Sequence, residues 1–394
     1  MSEQTVNSTN IKISIIANPA GNIGRLTLHK PEALNALDLD MVKCMLAQLE
    51  AWRTDRSIAA VFIDSEHDKA FCAGGDIVSM YKAMASEATG NLPDFIAQFF
   101  EQEYRLDYCI HTFNKPIIAW GHGIIMGGGL GVFAAASIKI ATEKARVAMP
   151  EITIGLFPDV GASYFLNNMP AGVGRFLGLT AASINASDCV AVGLADYILY
   201  NDIKSTFIQA LTTIDDLSET GLTQLCQRSV EAEKRAPDVG NLNGWYKQLA
   251  VFANIELGEV AATLHKLHEQ DPSDRFMQKA KNSFESGSPI TAHLVYEQLQ
   301  RAQSKTLAEC FQMELSMAYT CACIGEFQEG VRALLIDKDQ QPKWQYTNVE
   351  LVDYAVVNAH FTRFANSQNP LTGLVQDYGD HSVNKAVLAN ALQQ

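Results

Sequence analysis

Three short stretches, Ala59-Ala-Val-Phe-Ile-Asp64, Lys115-Pro-Ile-Ile-Ala-Trp120 and Ser137-Ile-Lys-Ile-Ala141, are apolar almost throughout and only as long as strands. A half-exposed strand alternates apolar with polar residues, so uninterrupted runs of this length predict strands buried on both faces, the habit of parallel sheets. Parallel strands need crossovers, and helical patterns occupy the gaps. Asp38 is placed to cap a helix carrying Met41, Met45, Leu46 and Leu49 at helical spacing. Ile96, Phe99, Phe100, Leu106 and Ile110 mark the apolar stripe of another. Upstream, residues 11–16 and 23–28 read as a hairpin turning at Asn18-Pro-Ala-Gly21. The expected class is α/β, of the α+β kind.

Beyond about Asp202 the texture changes to amphipathic helical patterns rich in Gln, Glu and Lys, with no linker, repeat or low-complexity tract. We therefore expect a core over residues 11–200 and a helical C-terminal region over 201–365 packed on it. With 394 residues and 47% apolar content the chain can bury a large core. Its formal charge of -14 argues against nucleic acid or an anionic membrane as main partner. Eight cysteines without a CxxC pair or metal-ligand spacing read as free thiols of a reducing compartment, with no metal site. Met1 to Asn10 is polar and resembles neither a secretory signal nor a transit peptide, so a cytoplasmic location is expected. Residues 116–138 carry no formal charge over a span long enough for a bilayer, but six glycines make them a buried strand, loop and helix.

The chemistry is expected around Glu151 and Asp159, two acids eight residues apart in an apolar segment braced by Pro and Gly. An acid among apolar neighbours is costly unless compensated, which favours a functional reading. Two glycine clusters, Ala73-Gly-Gly-Asp76 before a helix starting at Ile77 and Gly127-Gly-Gly129 before a run of small residues, can present backbone N–H groups to developing negative charge. Close packing and a simple N-cap at Asp76 explain the same clusters equally well. Glu103 falls within an apolar helical stripe, so it needs either a structural partner or a task. Cys72 as nucleophile, and His111 or His122 as triad members or ligands, are weaker readings than ordinary packing. Asp337-Lys-Asp339 lacks the remaining ligands of a calcium loop and is expected as a surface turn.

Four segments in order, Leu34-Asn-Ala-Leu37, Lys69-Ala-Phe-Cys-Ala-Gly-Gly-Asp76, Gly121-His-Gly-Ile-Ile-Met-Gly-Gly-Gly129 and Met149-Pro-Glu-Ile-Thr-Ile-Gly155, resemble the motifs of the enoyl-coenzyme A hydratase/isomerase (crotonase) superfamily. Gly155-Leu-Phe-Pro-Asp-Val-Gly161 and the segment from Glu329 to Trp344 resemble its 3-hydroxyisobutyryl-coenzyme A hydrolase branch. The resemblance implies a spiral of ββα turns followed by helices. It also implies cleavage of a short 3-hydroxyacyl-coenzyme A thioester without a separate cofactor, coenzyme A being part of the substrate. An oxyanion hole at the amides of Gly75 and Gly128 is implied, with Glu151 and Asp159 as catalytic acids. Glu103 would be a further substrate contact, and Ala73, Asp76 and Ile77 would contact coenzyme A. A homo-oligomer is compatible with the family. Hydratases carry a glutamate two residues after the glycine cluster, where this chain has Gly131, so hydration or isomerisation is the alternative and a silent binding scaffold the more distant one. Where many crotonases carry a Lys near the adenosine phosphates, this chain has Glu32; Lys30, Arg332, Lys338 and Lys343 are the other basic groups considered for that polyanion.

Overall fold

The computed structural model describes residues 6–8, 10–88, 90–365 and 367–380. Most of the N-terminal stretch read for targeting therefore lies outside the described residues. The three apolar runs form Ile58–Ser65, Ile117–Gly121 and Ile138–Thr142, paired in parallel at the centre of a seven-stranded sheet. The hairpin strands Ile11–Ile16 and Asn22–Leu28 extend it on one side, with Ile16 opposite Ile23, and Tyr197–Leu199 closes the other. Both faces of the central strands are covered, which is why they read as continuously apolar. Val61 and Ile63 join the main core, whereas Ala60 and Phe62 meet Trp120, Phe207 and Leu222 beneath the helices Lys204–Leu211 and Glu219–Ala232.

Each central strand is followed by a short one that leaves for a second sheet: Ala70–Cys72, Ile124–Met126 and Arg146–Ala148, mutually parallel, with Ile184–Asn185 antiparallel at the edge. A helix then returns the chain, as Ile77–Ser86 and Asp94–His111 do after the first pair and Gly128–Ala135 after the second. This two-strands-then-helix repeat is the ββα spiral. Asp38 accepts a hydrogen bond from the Met41 amide and starts Leu39–Thr54, burying Met41, Met45, Leu46 and Leu49 as the spacing requires. From Lys204 onward the described chain has no strand. Its longest helix, Leu307–Ile324, packs against Asp94–His111 and Tyr354–Thr362. Among the described residues no helix is long and apolar enough to cross a membrane, and residues 116–138 are strand, loop and buried helix.

Candidate active site

Gly75, Gly128 and Glu151 each lie just beyond the C-terminal end of one of the three parallel strands of the small sheet. Parallel strands release their loops on the same side, so three chain segments distant in sequence converge there, and such strand ends are where open α/β sheets hold ligands. The result is a cavity of about 70 Å³, lined in part by Ala73, Gly75, Gly128, Glu103, Glu151 and Asp159. Its size suits a group of a few heavy atoms.

Geometry explains the glycines. Gly127 has φ 47° and ψ -129°, a backbone shape reserved for glycine, and turns the chain into the helix Gly128–Ala135. A Cβ at Gly128 would overlap Glu103 Oε1, so only glycine lets that carboxyl approach; the same Cβ position lies 3.6 Å from the Gly75 amide nitrogen. Gly128 is the first residue of its helix, where amides have no intrahelical acceptor. Two amides from opposed segments can thus serve one oxygen. The packing and N-cap readings hold as well: Gly129 sits against Cys72, and Asp76 accepts from the Ser79 amide. Ala73 and Ile77 line the cavity, whereas Asp76 does not, its carboxylate being held by Ser79 and, at 3.6 Å, by Lys30.

Among the described residues no cation is paired with the acids of the cavity. Glu103, Glu151 and Asp159 are each at most 4% exposed, and Glu103 Oε1 and Glu151 Oε2 have no hydrogen-bond partner. Asp64, an equally buried acid on the large sheet, shows the usual solution, paired with Arg25 and Lys204. In the cavity, burial first and the neighbouring Asp159 charge second hold Glu151 well above the carboxylate range. Burial, then the charges of Asp159 and Glu151, does the same to Glu103. Burial lifts Asp159 to about 7, although the Tyr104 hydroxyl, donating to Oδ2 at 2.8 Å, pulls it down. Such carboxyls keep their protons to higher pH than free ones, and their ionised forms are correspondingly stronger bases, so the cluster can exchange protons with a substrate.

Some expectations change and others hold. A side chain at Gly131 has no room, because its Cβ would lie 2.6 Å from Val160 Cβ and 2.7 Å from Asp107 Oδ2. The place of the second hydratase acid is filled by the Asp159 turn and by Asp107, a buried acid one helical turn beyond Glu103. Arg332 is no free phosphate ligand: Glu329, Asp337 and Asp339 bind it, which also gives the expected surface turn at Asp337-Lys-Asp339 a structural task. Lys30 is engaged by Asp38 and Asp76. Cys72 is fully buried and its thiol pushed up to about 12 by burial, which suits packing and not attack. His122 is tied to Thr142 and the Asp68 carbonyl, and His111 packs its ring against Phe311, so neither joins the site. Sequence reasoning missed Tyr104, Asp107, Gln298 and Glu314. The visible signals were Asp107 four residues after Glu103 and Glu314 as the last charge of a long apolar helix.

The sequence profile of the enoyl-CoA hydratase/isomerase family matches residues 23–361. A curated relative in Danio rerio, named 3-hydroxyisobutyryl-CoA hydrolase, mitochondrial, is 35% identical over 353 residues, covering 88% of this chain and 89% of its own. The Homo sapiens protein of that name is 32% identical, with 90% and 89% covered. Among solved structures, an enoyl-CoA hydratase from Rhodobacter sphaeroides superposes with a TM-score of 0.77 at 29% identity, covering 92% of this chain and 99% of that one. A carnitinyl-CoA dehydratase from Mycobacterium thermoresistibile gives 0.78 at 27% identity, with 90% and 96% covered. With its spiral core, its paired glycine amides and a profile match over most of its length, the chain belongs to the enoyl-CoA hydratase/isomerase family.

Proposed function

We propose that this protein hydrolyses the thioester of a short 3-hydroxyacyl-coenzyme A, with 3-hydroxyisobutyryl-coenzyme A as the preferred substrate. The observation that carries the reading is at Gly131: addition of water to a double bond calls for two acid/base groups, and Val160 and Asp107 fill the space of the second. The relatives named as hydrolases point the same way. The thioester carbonyl oxygen sits between the Gly75 and Gly128 amides, which stabilise it as it becomes an oxyanion. Glu151 takes a proton from water, the hydroxide adds to the carbonyl carbon, and the adduct collapses by expelling the coenzyme A thiolate. That thiolate recovers the proton from Glu151. A direct attack by Glu151, giving a mixed anhydride that water then opens, uses the same groups; single turnover in heavy-oxygen water separates the routes by whether label enters the Glu151 side chain. Glu103 and Asp159 accept the substrate hydroxyl, and Ala73 and Ile77 flank the thioester arm. The relatives' names place them in mitochondria; imaging of a tagged full chain shows where this protein resides.

The test is a substrate panel with free thiol and enoyl absorbance followed together. Thiol release that falls about 10²- to 10⁴-fold in Glu151→Gln, with KM nearly unchanged, is the predicted result. A change in enoyl absorbance without thiol release would establish hydration or isomerisation instead.

A further inference from the structure

The turn that carries Asp159 is held from outside the spiral. Pro158, Asp159, Val160 and Gly161 precede the short helix Ala162–Phe165, and two successive residues take left-handed backbone conformations, Val160 at φ 54° and Gly161 at φ 88°. For a β-branched residue this is a strained shape that persists only where surroundings impose it. The Val160 side chain also lies over Gly131, so the turn sits in space that any larger residue there would claim.

Two buried polar side chains from the C-terminal helices impose it. Glu314, on Leu307–Ile324, accepts from the Gly161 amide at 2.7 Å and from the Ser163 amide at 2.9 Å, one bond to each oxygen. Gln298, on Pro289–Ala302, donates to the Pro158 carbonyl at 2.6 Å and to Ser163 Oγ at 2.8 Å. Both are 0% exposed, and neither lines the cavity. Their bonds fall on either side of Asp159, while Tyr104 fixes its carboxylate. We propose that Glu314 and Gln298 are positioning residues that hold the Asp159 turn in its working geometry, making the C-terminal helices part of the active site's machinery. The inference rests on the proposed hydrolase reading, in which Asp159 accepts the substrate hydroxyl.

The experiment compares Glu314→Gln and Gln298→Met with the unmutated protein. Thiol release is measured from 3-hydroxyisobutyryl-coenzyme A and from isobutyryl-coenzyme A, and each rate is referred to the folded fraction from thermal melts. Glutamine offers one acceptor oxygen where two amides need acceptors, and methionine fills Gln298's volume without a donor. Misplacement of a contact group by about 1 Å costs about 10²-fold, so kcat for the hydroxy substrate should fall about 10- to 100-fold in both variants. KM should stay within about threefold, and the preference for hydroxy over deoxy substrate should shrink about tenfold or more. Unchanged kcat per folded molecule with the preference intact would overturn the proposal, as would a loss that follows only the folded fraction. If Glu314→Gln does not fold, Gln298→Met carries the same comparison. An unmutated protein that releases thiol equally from both thioesters refutes the substrate reading alone, and the positioning role is then decided by kcat per folded molecule.

Discussion

Glu103 and Gly128 show how one atom decides a residue. The carboxyl of Glu103 reaches the space where a residue-128 Cβ would be, so glycine is required there for contact as well as for chain entry into the helix. Gly128→Ala should therefore destabilise the fold by about 1 to 3 kcal/mol, and distinctly less in a Glu103→Ala background, because the overlap is between these two residues. Denaturant unfolding of the two single variants and the double variant measures the coupling; strictly additive changes would contradict the contact. Glu103, Glu151 and Asp159 were legible in the sequence as acids among apolar neighbours. Gly131 was legible as a missing acid, but what fills its place was not, since Val160 and Asp107 reach it only through tertiary packing. For the same reason a Gly131→Glu replacement is not a simple restoration of a hydratase.

At the scale of elements, the helix Asp94–His111 faces the site with Glu103, Tyr104 and Asp107, all buried. The apolar stripe made the helix and the burial of Glu103 readable. The hydroxyl bond from Tyr104 to Asp159 joins residues 55 positions apart and leaves no local pattern. That bond favours the ionised form of Asp159, which burial holds near about 7. Tyr104→Phe should raise the Asp159 pKa and move the acid limb of the pH–rate profile to higher pH; an unmoved limb, or one moved to lower pH, would refute the role given to this bond. The central strands were readable because burial on both faces removes polar residues. Their short partners in the second sheet were not, because three-residue strands carry too little periodicity. The clamp from Glu314 and Gln298 spans about 140 to 150 residues and belongs to the same class of unreadable contact.

For the whole molecule, the collection of buried acids links stability to pH. Burial raises Asp159 to about 7 and Glu314 to about 8, and holds Glu103, Asp107 and Glu151 higher than ordinary carboxylates. Between pH 6.5 and 8 the unfolded chain has released its carboxyl protons while the folded chain retains part of those on Asp159 and Glu314, so the folded state binds more protons and loses stability as pH rises. His122 and His360, both lowered by burial, act in the opposite sense, chiefly below that window and only weakly at its lower edge. Through Asp159 and Glu314 the unfolding free energy should fall by about 1 to 3 kcal/mol in all from pH 6.5 to 8, and a flat or rising profile would contradict the raised carboxyl pKa values. In the proposed function the spiral delivers two amides and three acids to a small cavity, and the substrate hydroxyl gives the additional acids their task. The most direct measurement is the ratio of specificity constants for 3-hydroxyisobutyryl-coenzyme A and isobutyryl-coenzyme A. A large preference for the hydroxy thioester, up to about 10⁴ and narrowed in Asp159→Ala, is the expected result; equal specificity constants in the unmutated protein would contradict the proposed function.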